Sequence, residues 1–134
     1  MQVTQHVYRG LFLAAAFATT AMAEVATETS QIGDFTITLH LHDFLTADDL
    51  TTLRIVAKDK NALALFVPEG GGFAALAASP DEGFTKDAVP VPSASALSGL
   101  PDATTAAAEA IAACQALSKS KTACVLLLEV APKQ

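Results

Sequence analysis

Apolar and polar residues alternate through FTITLHLHDF. Phe35, Ile37, Leu39 and Leu41 fall on one side and Thr36, Thr38, His40 and His42 on the other. A period of two over eight residues predicts a strand with one buried face. The period then changes. In TADDLTTLRIVAKDK (46–60), Thr46 is placed to cap a helix and Asp48 and Asp49 lie where negative charge suits the helix dipole, while Leu50, Leu53 and Val56 or Ala57 follow helical spacing. Two short apolar runs follow, ALALFV (62–67) and FAALAAS (73–79), separated by PEGGG. Glycines between apolar runs supply the positive φ angles of a tight connection, so the pair reads as a β-hairpin. DATTAAAEAIAACQAL (102–117) is rich in alanine, the best helix former, and sets Ala107, Ile111, Cys114 and Leu117 on one face. ACVLLLEV (123–130) is an apolar run of strand length.

Between these elements, residues 24–33 are polar and read as a flexible lead-in. Residues 80–102, with Pro80, Pro90, Pro92 and Pro101, read as a long surface loop relieved by a helical turn near Ser93–Leu97. The order strand, helix, strand, strand, helix, strand predicts an α+β fold over residues 34–134. It matches the ferredoxin-like split β-α-β-β-α-β arrangement, a four-stranded antiparallel sheet with two helices on one face. In that arrangement the first strand is central, its apolar side meets the helices, and His40 and His42 point to the uncovered face.

The first 23 residues carry Arg9, an apolar stretch from Leu11 to about Ala18, and Ala21-Met22-Ala23. This is the three-part pattern of a secretory signal peptide cleaved after Ala23, with Ala21 and Ala23 as the small residues read by the peptidase. Its apolar core is roughly 10 residues against the ~20 needed to span a bilayer. The expected location is therefore periplasmic or secreted, with no membrane attachment after cleavage.

Fourteen acidic residues stand against eight basic ones, and one of those, Arg9, belongs to the leader. An acidic surface with no basic run repels phosphate backbones, which excludes nucleic acid and anionic membranes as natural partners. The single Tyr is Tyr8, also in the leader, and there is no Trp. Residues 24–134 thus lack the two side chains most used as interface anchors and stacking platforms.

Cys114 and Cys124 are the only cysteines. In an exported chain, an even count placed at a helix end and a strand start predicts a structural disulfide. Closing a loop of this size is worth about 2.5 to 3 kcal/mol in the chain-entropy model. A redox pair would sit closer in sequence, as in Cys-x-x-Cys. A zinc site shared with the two histidines would have to form through the sheet.

His40-x-His42 is the one pattern able to carry chemistry. Two imidazoles on one strand face, with Asp43 and Glu129 as candidate neighbours, suit zinc, copper or nickel. The regular alternation that begins at Thr36 accounts equally for both as members of a polar strand face. Nothing points to catalysis or to a bound cofactor. Gly70–Gly72 lack the Gly-Lys-Ser/Thr of a phosphate loop, no G-x-S-x-G frames a serine nucleophile, and Ser93, Ser95 and Ser98 lie in a Pro- and Ala-rich segment.

From Leu53 to Pro132, through LRIVAKDKNALALFVPEGGGFAALAASPDEGF, VPSASALSGLPDA and AIAACQALSKSKTACVLLLEVAP, the chain resembles a group of small exported proteins from alphaproteobacteria of the Rhodobacter type. Some of these are labelled 5-aminolevulinate (5-aminolevulic acid) synthase. The resemblance implies export and, through that label, pyridoxal-phosphate chemistry. Such an enzyme needs a large fold, a Schiff-base lysine and groups that hold the cofactor's ring and phosphate. No motif for these maps onto residues 24–134, so no catalytic residue is carried over. The expectation is a disulfide-stapled domain acting by binding or structural interaction, with a protein as its partner. Metal binding through His40 and His42 is the alternative, and an enzyme the third reading.

Overall fold

The computed structural model describes residues 24–68 and 71–134, and the expected leader with Ala21 and Ala23 lies outside them. The elements are β1 Thr27–Ile32, β2 Phe35–His40, α1 Ala47–Lys58, α2 Lys60–Phe66, β3 Phe73–Ala78, β4 Thr85–Lys86, β5 Val89–Pro90, β6 Ser95–Leu100, α3 Ala103–Leu117 and β7 Val125–Pro132. Five strands form one sheet in the order β1-β2-β7-β3-β6, every pairing antiparallel, while β4 and β5 make a separate hairpin.

Caps set the helix boundaries. The Thr46 hydroxyl accepts from the Asp49 amide and the Asp49 carboxylate accepts from the Thr46 amide, a reciprocal box that satisfies two otherwise orphaned donors at the start of α1. Asp59 ends α1 in an extended conformation. Its carboxylate then accepts from the Ala62 amide at 2.8 Å and so opens α2. Asp102 caps α3 in the same way through the Thr105 amide.

The sheet is covered on both faces. Ile37 and Leu39 of β2, Leu76 of β3 and Leu128 and Val130 of β7 pack with Leu53 and Ala57 of α1 and Leu63 of α2. Side chains alternate across a strand, and the residues between these face the other way. There Ala75 and Ala77 of β3 meet Ala106, Ala110 and Cys114 of α3. In β7 the pairing with β3 passes from Leu76↔Leu128 to Ala77↔Leu126 and skips Leu127. This bulge puts both Leu127 and Leu128 in the α1/α2 core and returns Leu126 and Glu129 to the α3 side.

The antiparallel α+β expectation holds, but the four-stranded split arrangement does not form. Residues 62–67 are not a strand. The Asp59 cap and a run without β-branched residues before Val67 favour helix, which buries Leu63 and leaves Leu65 90 % exposed. The final strand lies between β2 and β3 rather than at an edge of the sheet, and the helices flank both faces rather than one. Residues 24–33 are not a loose lead-in either. They contain β1, which returns into β2 through the two-residue turn Gly33–Asp34, with Gly33 at φ +56°. The expected loop at 80–102 holds the β4–β5 hairpin and edge strand β6, with a strand start where a helical turn was expected near Ser93–Leu97.

Candidate functional site

On its α3 side the sheet is only partly covered. α3 packs over β3, β6 and β7. Among the described residues no helix covers the β1–β2 half there, which presents Thr27, Thr29 and Gln31 beside Thr36, Thr38 and His40, in the pairing Thr27↔His40, Thr29↔Thr38 and Gln31↔Thr36. The sequence expectation that the histidines lie opposite the Ile37 and Leu39 side is met, even though both faces of the sheet carry helices.

The bulge at Leu127 brings Glu129 onto this face next to Thr38. Its carboxylate lies 2.7 Å from His40 Nε2, with the two side chains 33 % and 21 % exposed. His42 Nε2 lies 2.7 Å from the Leu126 carbonyl, at the strand position where the bulge interrupts the ladder. A carbonyl only accepts, so this contact fixes the proton of His42 on Nε2. The rings of His40, His42 and Phe44 stack in a row, with centroids 6.2 and 5.5 Å apart. A groove of about 580 Å³, lined by Val25, Leu41, His42, Asp43, Phe44 and Pro80 among others, opens at the end of that row.

Both imidazoles thus commit Nε2 to the protein. A metal ion would have to use their Nδ1 atoms or displace Glu129 and the Leu126 carbonyl. Among the described residues no group of three or more His, Cys, Asp or Glu side chains is arranged to hold an ion. Asp43 lines the groove beside His42, and the nearer carboxylate partner is Glu129.

The two cysteines are joined. Cys114 at the end of α3 and Cys124 just before β7 form a disulfide across a Cα–Cα distance of 6.2 Å, and both are buried. The turn between them is held from outside. The Ser118 hydroxyl donates to Glu82 and the Ser120 hydroxyl to Asp81, while Gln115 Oε1 accepts from the Cys124 amide at 3.1 Å. These serine hydroxyls hold both carboxylates below their ordinary range.

Sequence reasoning missed two polar anchors. Asp49, expected only at a helix start, is 2 % exposed and also accepts from the Thr85 hydroxyl, which ties α1 to the β4–β5 hairpin. Burial opposes its charge, yet the Thr85 hydroxyl and the Thr46 amide and hydroxyl outweigh this and hold the carboxyl below its ordinary value. Asp81 and Glu82, within the expected surface loop at 80–102, clamp the disulfide loop. No sequence signal joins partners 36 to 39 positions apart.

Comparison with protein-family models, curated proteins and solved structures finds no match to this chain. No helix among the described residues is long and apolar enough to cross a membrane.

Proposed function

We propose that this chain is a small exported, disulfide-stapled domain, akin to the Rhodobacter-type exported proteins, that works by binding a protein partner in the periplasm or outside the cell rather than by catalysis. The carrying observation is the β1–β2 half of the sheet, which no helix among the described residues covers and where Thr36, Thr38 and His40 offer hydrogen-bonding side chains on a rigid strand. A flat polar surface on a packed scaffold suits recognition, because little is lost in ordering it. The non-enzymatic reading is supported by the state of the two histidines, each bonded through Nε2 to a fixed partner rather than to a nucleophile.

The test places a photo-crosslinking side chain at Thr36, on the open face, and in a second variant at Ile55, which is 53 % exposed on α1. The expected result in the native compartment is one discrete adduct with a different polypeptide from Thr36 and none from Ile55. Equal adducts from both positions, or none from either, would sink the reading. Metal binding through His40 and His42 is the competing reading. A stoichiometric metal ion in the native mass, lost in His40→Ala/His42→Ala, would favour it instead.

A further inference from the structure

The sheet ends in two edges of different character. At one edge, β6 pairs with β3 through an irregular register between Phe73 and Ala75, has Gly99 at φ +72°, runs into Pro101, and packs Leu100 against the α3 layer. A bulge, a glycine and a proline are the devices by which proteins blunt a free edge. β1 has none of them. Its six residues, TETSQI, pair with β2 in unbroken register and include no proline or lysine. Its one charge, Glu28, is held in a two-pronged ion pair by Arg54 of α1, with Nη2 and Nε at 2.6 and 3.0 Å from the two carboxylate oxygens.

The direction of the β1 backbone groups follows from one contact. The Leu41 amide donates to the Ala26 carbonyl at 2.8 Å, continuing the register Thr27↔His40 by one pair. Hydrogen-bonded and non-bonded pairs alternate in an antiparallel ladder. Glu28, Ser30 and Ile32 therefore exchange bonds with β2, and Thr27, Thr29 and Gln31 turn both N–H and C=O outward. Among the described residues nothing bonds to those outward groups. The same three residues carry their side chains on the open face.

We propose that β1 is the docking edge for a second copy of this chain, paired antiparallel to its own β1 about a two-fold axis through Thr29. This goes beyond the partner-binding reading and stands or falls separately from it. In that register Thr29 faces Thr29 of the other copy and Thr27 faces Gln31, so every outward N–H and C=O of these residues finds a partner. Between them Glu28 faces Ser30, and no carboxylate opposes a carboxylate. The arrangement is self-complementary, as a two-fold interface requires, and threonine pairs across strands are favourable. It also joins the copies where charge is lowest. On a chain of net charge −6, Glu28 is neutralised by Arg54, and the ion pair on the open face among the described residues is His40–Glu129. Two five-stranded sheets then become one continuous sheet of both copies.

Sedimentation velocity over a micromolar-to-millimolar series of the protein, expressed from its full sequence, tests this. The expected result is a reversible dimer. Thr29→Pro removes an outward N–H without touching the β2 ladder and should weaken dimerisation at least about tenfold, whereas Thr29→Ala, which keeps the N–H, should leave the dimer in place. A monomer at every concentration, or a dimer indifferent to Thr29→Pro, overturns the proposal. Amide exchange on the unaltered protein guards against a folding defect in the proline variant. Protection of Thr27, Thr29 and Gln31 should rise with concentration, and exchange independent of concentration overturns the proposal equally.

Discussion

The two faces of the sheet are built from side chains of different size. On the α1/α2 side the core is Ile37, Leu39, Leu53, Leu63, Leu127, Leu128 and Val130; on the α3 side it is Ala75, Ala77, Ala106, Ala110 and the two cysteines. A fully buried leucine or isoleucine contributes about 1.5 to 3 kcal/mol and each methyl-sized group about 0.8. The first face is therefore held mainly by area removed from water. On the second, alanines let α3 approach the strands closely but bury little, and the Cys114–Cys124 bond sits in that thin layer. The cross-link stands where packing is weakest. The thicker layer is pinned differently, by buried Asp49 fastening α1 to the β4–β5 hairpin.

The largest expected effect strikes the thick layer. Leu128→Ala leaves a cavity at a fully buried position and should lower stability by about 3 to 4 kcal/mol in urea unfolding. Replacing both cysteines by alanine should cost about 2.5 to 3 kcal/mol. The contrast predicts where that loss appears, since amide protection should fall in α3 and β6 more than in α1, and a uniform fall would break the comparison.

Asp49→Ala should cost about 2 kcal/mol at neutral pH, the worth of hydrogen bonds to a charged group. The carboxyl's folded value lies below its ordinary one, so its contribution is present above about pH 4 and fades as the pH falls through the lowered folded value. Acid unfolding of Asp49→Ala should accordingly be shallower than that of the unaltered protein. It should not be flat, because Glu28, Asp81, Glu82 and Asp102 are also held below their ordinary values. The smallest effect is a gain. Ala88 sits at φ +63° in the β4–β5 turn, and Ala88→Gly should raise stability by about 0.5 to 1 kcal/mol in the same urea assay.

What the sequence made legible was local. The alternation around Ile37 and Leu39, the Thr46/Asp49 start of α1, the alanine-rich α3 and the cysteine pair all depend on neighbours within a turn or a strand. The errors have equally physical origins. ALALFV is an apolar run of strand length, and the Asp59 carboxylate reaching the Ala62 amide, with no β-branched residue before Val67, decides for helix. TETSQI looked too polar for a strand because its inward side is satisfied by polar contacts, Glu28 with Arg54 and Ser30 with the Ala57 carbonyl. Within that polar stretch the Gly33–Asp34 pair is itself a hairpin signal. Strand order was out of reach, since it depends on which apolar faces find each other over long separations. Of the candidate site, the face of His40 and His42 and the nearness of Glu129 were legible. The Leu126 carbonyl that holds His42 was not, because it follows from a bulge hidden in an unbroken apolar run.

The position of β7 bears on how the protein is made. Of the seven strands it is the last to be synthesised, yet it alone joins the β1–β2 hairpin to the β3–β6 pair. Until residues 125–132 have left the ribosome, the nascent chain has two half-sheets with open inner edges and no way to close them. Docking of β7 therefore closes both half-sheets in one step and completes both core layers together, Leu127 and Leu128 on one face and Leu126 on the other.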